Sequence, residues 1–135
     1  MLSKQRTIAQ TISFSGKGLH TGELVTMTIR PAEADSGIVL CRVDLKGAPE
    51  VAALAHNVTD TSRGTTIKDG KAKVSTIEHI LSALWTMGID NALIDINAPE
   101  TPIMDGSAKE YAAEIERVGT TEQEAERRWF EVEEE

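Results

Sequence analysis

Thiols, aromatic rings and positive charge are all scarce in this 135-residue chain. A single cysteine, Cys41, excludes an internal disulfide and a Cys-based zinc site, and a reducing, cytoplasmic setting is expected. Only five aromatics are present (Phe14, Trp85, Tyr111, Trp129 and Phe130), so Ile, Val, Leu, Met and Ala must fill most of any core. Fourteen bases against 22 acids give a formal net charge of −8. Such a field repels phosphate backbones and anionic membrane surfaces, so no nucleic-acid partner is expected. No 18 consecutive apolar residues occur, which excludes a transmembrane helix in this stretch. The opening Met1-Leu2-Ser3-Lys4-Gln5-Arg6 turns polar before any run of signal-peptide length, so no leader is expected.

What is present suits one compact domain, with 40% apolar residues in a chain too short for two full cores. Ile8, Ile12 and Phe14 alternate through residues 7–14 as in a strand, with Gln10 as a polar interruption. Three glycines punctuate residues 15–22, and Val25, Met27 and Ile29 then alternate with threonines, which predicts a hairpin-like pair with His20 in its connection. Residues 38–42 read as a third strand, and residues 65–67 and 71–74 as two more across Lys68-Asp69-Gly70. Ile77, Ile80, Leu81 and Leu84 fall at helical spacing and Gly88 suits a left-handed stop, predicting a helix over 76–87. Residues 92–96 read as a strand, 97–106 as a loop, and Ser107 opens a second helix with Tyr111, Ile115 and Val118 on one face, closed by Gly119. The expected fold is α+β: a two-layer sandwich of a mainly antiparallel sheet of five or six strands with two helices packed on it.

Beyond Thr120 the pattern changes to seven acids against two bases, which accounts for −5 of the total −8. Trp129, Phe130 and Val132 sit within that tail and are not needed by a solvating segment, so the end resembles the first strand of something that continues. The expected division is a domain over 1–120, then an acidic linker and the start of a second domain over 121–135. An exposed Trp129, Phe130 and Val132 would also favour self-association.

The segment Ser75-Thr76-Ile77-Glu78-His79 sets a carboxylate beside an imidazole at a helix start. One reading is a capping box, with the Ser75 hydroxyl on the Glu78 amide and the Glu78 carboxylate reaching back to Ser75. Ser107-Ala108-Lys109-Glu110 has the same spacing without a histidine, so the spacing alone says nothing of catalysis. His79 points nearly opposite the apolar stripe and is either a solvated side chain or a metal ligand. Adjacent Glu and His side chains would give zinc hydrolysis one base and one ligand. His20 and His56 show no zinc-ligand spacing with His79. Gly16-Lys17-Gly18 lacks the ending and the strand–loop–helix context of a phosphate loop, and Asp105-Gly106-Ser107 reads as a turn and N-cap.

Six stretches in order carry a resemblance: Gln5-Arg6-Thr7, Gly18-Leu19-His20-Thr21-Gly22, Asp60-Thr61 with Thr65, Ser75-Thr76-Ile77-Glu78-His79, Gly88-Ile89-Asp90-Asn91 and Pro102-Ile103-Met104-Asp105-Gly106-Ser107. Together they resemble the amino-terminal half of the bacterial UDP-3-O-acyl-N-acetylglucosamine deacetylases, zinc hydrolases of lipid A and hence lipopolysaccharide synthesis. The resemblance implies removal of acetate from the 2-amino group of the UDP-linked, 3-O-acylated sugar, with Glu78 as general base and His79 as a zinc ligand. It implies that the remaining zinc ligands, a His and an Asp, come with a further acid histidine from a carboxy-terminal domain. The passage for the acyl chain and much of the nucleotide contact are expected there too. The isolated chain is then expected to be inactive. The role of His20 stays open, and no substrate contact is assigned. The family has two similar halves with the site between them, and in some bacteria is fused to a hydroxyacyl-carrier-protein dehydratase. Two alternatives remain: a stand-alone, non-catalytic binding or docking module derived from that fold, and a dimer that builds a metal site from paired Glu78 and His79.

Overall fold

The computed structural model describes residues 3–62 and 64–127. Ten strands and two helices form an α+β fold with mainly antiparallel sheets. The strands are β1 (Lys4–Ile8), β2 (Ile12–Lys17), β3 (Leu24–Pro31), β4 (Ile38–Arg42), β5 (Glu50–Ala52), β6 (Val58–Asp60), β7 (Thr66–Asp69), β8 (Ala72–Val74), β9 (Ala92–Ile96) and β10 (Thr120–Glu126). The helices are α1 (Glu78–Thr86) and α2 (Lys109–Val118). The largest sheet has five strands in the order β2-β3-β9-β4-β5, with only β4 and β9 parallel. A three-stranded sheet β6-β7-β8 and the pair β1-β10 complete the architecture.

Alternation decides which face of the five-stranded sheet is buried. Ile12 and Phe14 of β2, Val25, Met27 and Ile29 of β3, and Ile94 and Ile96 of β9 point inward and join one apolar cluster. Ile77, Ile80, Ala83 and Leu84 around α1, and Tyr111 and Ile115 of α2, belong to the same cluster. Phe14 meets the Tyr111 ring edge-on, with centroids 4.8 Å apart. The Tyr111 hydroxyl donates to the Pro102 carbonyl at 2.6 Å, and burial pushes its pKa well above the ordinary value. The opposite face is a polar ladder: Ser13 bonds Thr28 at 2.9 Å, and Arg30 pairs with Asp95 at 2.7 Å.

Several details depart from the sequence expectation. Residues 7–14 are not one strand, because the chain bends after Ile8, where Ala9, Gln10 and Thr11 are exposed. β1 then pairs with β10 and β2 with β3, so the polar Gln10 marks a change of sheet. Helix α1 begins at Glu78 rather than residue 76, because Thr76 has φ +61°, a left-handed backbone that a right-handed helix cannot include. Gly88, at φ +73°, does provide the left-handed stop, and the Gly119 amide donates to the Ile115 carbonyl at 2.9 Å to close α2. β10 begins at Thr120, runs on into the stretch from residue 121 that was expected to be linker, and pairs with β1. Trp129, Phe130 and Val132, read as the opening strand of a further domain, lie outside the described residues.

A buried arginine ties two of the sheets together. Arg42, at the end of β4 and 6% exposed, binds Asp44 through two nitrogens at 2.9 and 2.8 Å and donates to the Lys73 carbonyl of β8 at 2.8 Å. The hydrogen bond from Arg42 holds the Asp44 carboxyl below its usual pKa, against partial desolvation. A depressed folded-state pKa contributes stability above the unfolded value, about 4, and that contribution is lost as pH falls through the folded value. Chemical unfolding across pH should therefore show a constant gap between the native chain and Asp44→Asn above pH ~5, narrowing below pH ~4. A gap that stays the same throughout would show that the pair does not couple to folding.

Candidate active site

Glu78 and His79 are the first two residues of α1, and both side chains are half-buried. The capping box is not formed: neither the Ile77 N-cap position nor any side chain there bonds the helix amides. Ser75 instead accepts a hydrogen bond from Thr66 Oγ1 at 2.9 Å, which removes its hydroxyl from the helix end. The same spacing before α2 gives no box either: Ser107 Oγ accepts the amide of Lys109 at 3.3 Å, not that of Glu110, and donates to Asp105 Oδ1 at 2.8 Å. Freed of capping, Glu78 Oε1 accepts the Thr65 amide at 3.0 Å. Gly64, at φ +93°, passes so close that a Cβ there would lie 3.0 and 3.2 Å from the two carboxylate oxygens. A side chain at this position would push the carboxylate aside, and the backbone conformation itself favours glycine.

The local chain path explains why Glu78 can be held this way. Ser75 donates its amide to the Pro99 carbonyl at 2.8 Å and receives the Thr101 amide at 3.2 Å, as in a short parallel bridge. The Thr101 hydroxyl grips the Thr76 carbonyl at 2.5 Å, and the Ile77 amide donates to the Thr65 carbonyl at 3.2 Å. These contacts over-determine Thr76 in a conformation that costs about 1–3 kcal/mol for a non-glycine residue, and such strain concentrates at functional sites. Sequence reasoning gave no sign of it, since a threonine normally avoids positive φ.

The segment 99–102 also reaches the connection that holds His20. Glu100, only 3% exposed, accepts the His20 amide at 2.8 Å and the Thr21 amide at 3.3 Å. A Cβ on Gly18 would collide with Glu100 Oε1, so the loop closes over the carboxylate with glycine there. Gly18 bridges Pro102 on the other side of the same segment. Two stretches far apart in sequence, 18–22 and 75–79, are thus both fastened to residues 99–102. Sequence reasoning missed Glu100, whose burial depends on backbone amides that no periodicity reveals.

From the start of α1 an open cleft of about 370 Å³ runs along one helix face, lined by Glu78, Leu81, Ser82, Leu84 and Trp85 together with Ile38 and Ile89. Trp85 is 86% exposed at its edge. Among the described residues the His79 imidazole has no hydrogen-bond or ion-pair partner, and no group of three or more His, Cys, Asp or Glu side chains is arranged to hold a metal. His20 and His56 do not join His79 in such a group. No helix of the described residues is long and apolar enough to cross a membrane.

The fold is α+β, and the start of one of its two helices presents a carboxylate and an imidazole side by side. The chain belongs to the UDP-3-O-acyl N-acetylglycosamine deacetylase (LpxC) family, which matches residues 5–135. It is 54% identical over 115 residues to the UDP-3-O-acyl-N-acetylglucosamine deacetylase of Geobacter sp. (strain M21), covering 85% of this chain and 38% of that protein. Over 129 residues it is 50% identical to the enzyme of the same name from Legionella pneumophila (strain Corby), covering 96% of this chain and 42% of that protein. It is also 53% identical over 122 residues to the bifunctional enzyme LpxC/FabZ of Bacteroides thetaiotaomicron, covering 90% of this chain and 26% of that protein. The chain thus spans less than half the length of these relatives.

Proposed function

We propose that this chain is the amino-terminal part of a zinc-dependent UDP-3-O-acyl-N-acetylglucosamine deacetylase, which removes acetate from the sugar 2-amino group in lipid A synthesis. The observation that carries this reading is the placement of Glu78 and His79. Their side chains lead the same helix, the carboxylate is held by one amide on one oxygen, and the imidazole has no partner among the described residues. Glu78 takes the proton of the attacking water, and the Thr65 amide orients the carboxylate without blocking its second oxygen. A neutral imidazole nitrogen of His79 suits zinc, but one nitrogen is one ligand of the three that a catalytic zinc site takes from protein. The remaining ligands, and the groups that bind the nucleotide and acyl chain, then belong to polypeptide beyond this domain. When bound, zinc supplies Lewis-acid polarisation of the scissile amide and lowers the pKa of water there. A cytoplasmic location accords with the free, buried Cys41.

Calorimetric zinc titration at neutral pH separates this from a self-contained site. The 135-residue chain should bind zinc weakly, whereas the full-length protein should bind it tightly at one equivalent and lose that binding on His79→Ala. Tight, stoichiometric binding by the short chain, abolished by His79→Ala, would overturn the divided site and favour a dimer built on paired His79 and Glu78.

A further inference from the structure

The strained residue beside the site carries an unspent hydrogen bond. Thr76 is 4% exposed, and its Oγ1 is the buried side-chain oxygen without a hydrogen-bond partner among the described residues. Buried hydroxyls are nearly always paired, so an orphan held on a strained backbone points to a partner that arrives or turns toward it. The space it faces is identifiable. The position of a Cβ on Gly64 lies 3.4 Å from Thr76 Oγ1, 3.0 Å from Glu78 Oε2 and 3.2 Å from Glu78 Oε1. Hydroxyl and carboxylate therefore both lie close to the position that a Cβ on Gly64 would take.

We propose that Thr76 is a positioning residue for Glu78: in the assembled site its hydroxyl donates to the carboxylate oxygen that the Thr65 amide leaves free. This rests on the reading of Glu78 as general base. Thr65 and Thr76 then hold the two oxygens from two sides, and Gly64 keeps the floor beneath them clear. The left-handed Thr76 backbone serves this purpose in the three residues between β8 and α1, where it brings the hydroxyl to the acid rather than to the helix amides. A threonine retained for packing alone would have no use for its hydroxyl, because nothing among the described residues bonds it.

The test is Thr76→Val and Thr76→Ser in the full-length protein, with Glu78→Gln assayed beside them. Valine keeps the β-branch and the backbone cost and removes only the hydroxyl, so unfolding should be unchanged. Losing one hydrogen bond to a charged group should lower kcat by roughly 10- to 100-fold, with KM within about twofold. Serine restores the donor and should return kcat to within about threefold of the native value. Crystal structures of the native and valine proteins should show the native hydroxyl on the Glu78 carboxylate and a changed Glu78 rotamer in the variant. A valine variant with native kcat, or valine and serine variants that lose rate and stability together, would overturn the proposal. If Glu78→Gln is inactive while Thr76→Val is not, the base assignment stands and the positioning role falls. An active Glu78→Gln removes both.

Discussion

Replacing Glu78 by glutamine in the full-length protein should lower turnover by roughly 10²- to 10⁴-fold, the usual contribution of a general base, and leave the unfolding transition nearly where it was. Glutamine keeps a carbonyl oxygen that can accept the Thr65 amide, now at 3.0 Å, so the local fold retains its hydrogen bond. What it loses is basicity. Alanine separates the two further: it orphans the Thr65 amide and removes a negative charge from the first turn of α1, costing about 1–2 kcal/mol of stability. A domain of ordinary stability stays folded after such a loss, so a fall in rate beyond tenfold cannot come from unfolding. Steady-state kinetics and thermal unfolding of both variants decide the matter. Near-native turnover in Glu78→Gln would remove the carboxylate from the chemistry and return it to a structural role at the helix start.

The capping box was the obvious sequence alternative for Glu78, and the structure rejects it through one residue. A box needs Ser75 at the N-cap, three residues before Glu78, with the intervening residues helical. Thr76 at φ +61° breaks that frame, and Thr66 takes the Ser75 hydroxyl. Nothing in a single sequence marks a threonine as left-handed, because the conformation is imposed from outside by Thr65, Pro99 and Thr101. The apolar stripe of α1, in contrast, was readable, since Ile77, Ile80 and Leu84 are buried for the reason their spacing implies. Strands β2 and β3 were readable from alternation, β4 from a short apolar run after Asp35-Ser36-Gly37, and β9 from its strand-like composition. Strands β5 and β6 were not, since three residues apiece are too short for a period to emerge. β10 escaped for a different reason. Its sequence Thr-Thr-Glu-Gln-Glu-Ala-Glu alternates side chains in space without any large apolar residue, so hydropathy carries no signal, and its partner β1 lies at the other end of the chain.

That last strand also explains two of the family-like stretches. Gln5-Arg6-Thr7 and Gly88-Ile89-Asp90-Asn91 meet beneath β10 and hold it. The Arg6 amide donates to Asp90 Oδ2 at 2.8 Å, and Thr7 Oγ1 donates to the Asn91 carbonyl at 2.7 Å. Arg127, just past β10, lies 3.1 Å from the Asp90 carboxylate and donates to the Gly88 carbonyl at 3.1 Å. These residues act as a clasp on β10.

Asn91 is the centre of the clasp, and Asn91→Ala should destabilise the chain by about 3 kcal/mol. Its side chain is buried, the residue being 2% exposed, and all its polar capacity toward the protein is directed. Nδ2 donates to Gln5 Oε1 at 2.9 Å and to Gln123 Oε1 at 2.8 Å, while Oδ1 accepts the Gly37 amide at 2.8 Å. Truncation leaves the Gly37 amide and the Gln123 oxygen unpaired, each a penalty of roughly 1–3 kcal/mol. Gln5 suffers less, because its oxygen still accepts the Asp35 amide at 2.8 Å. Gln123 cannot simply turn over, since its Nε2 already donates to the Ala32 carbonyl at 2.8 Å. The damage should therefore concentrate on β10. Urea unfolding reads the total loss, and hydrogen exchange should show the β10 amides opening faster than those of β3 and β9, whose ladders do not involve Asn91's side chain. If Asn91→Ala costs less than about 1 kcal/mol, water has replaced the amide and β10 is held by its backbone ladder to β1 alone.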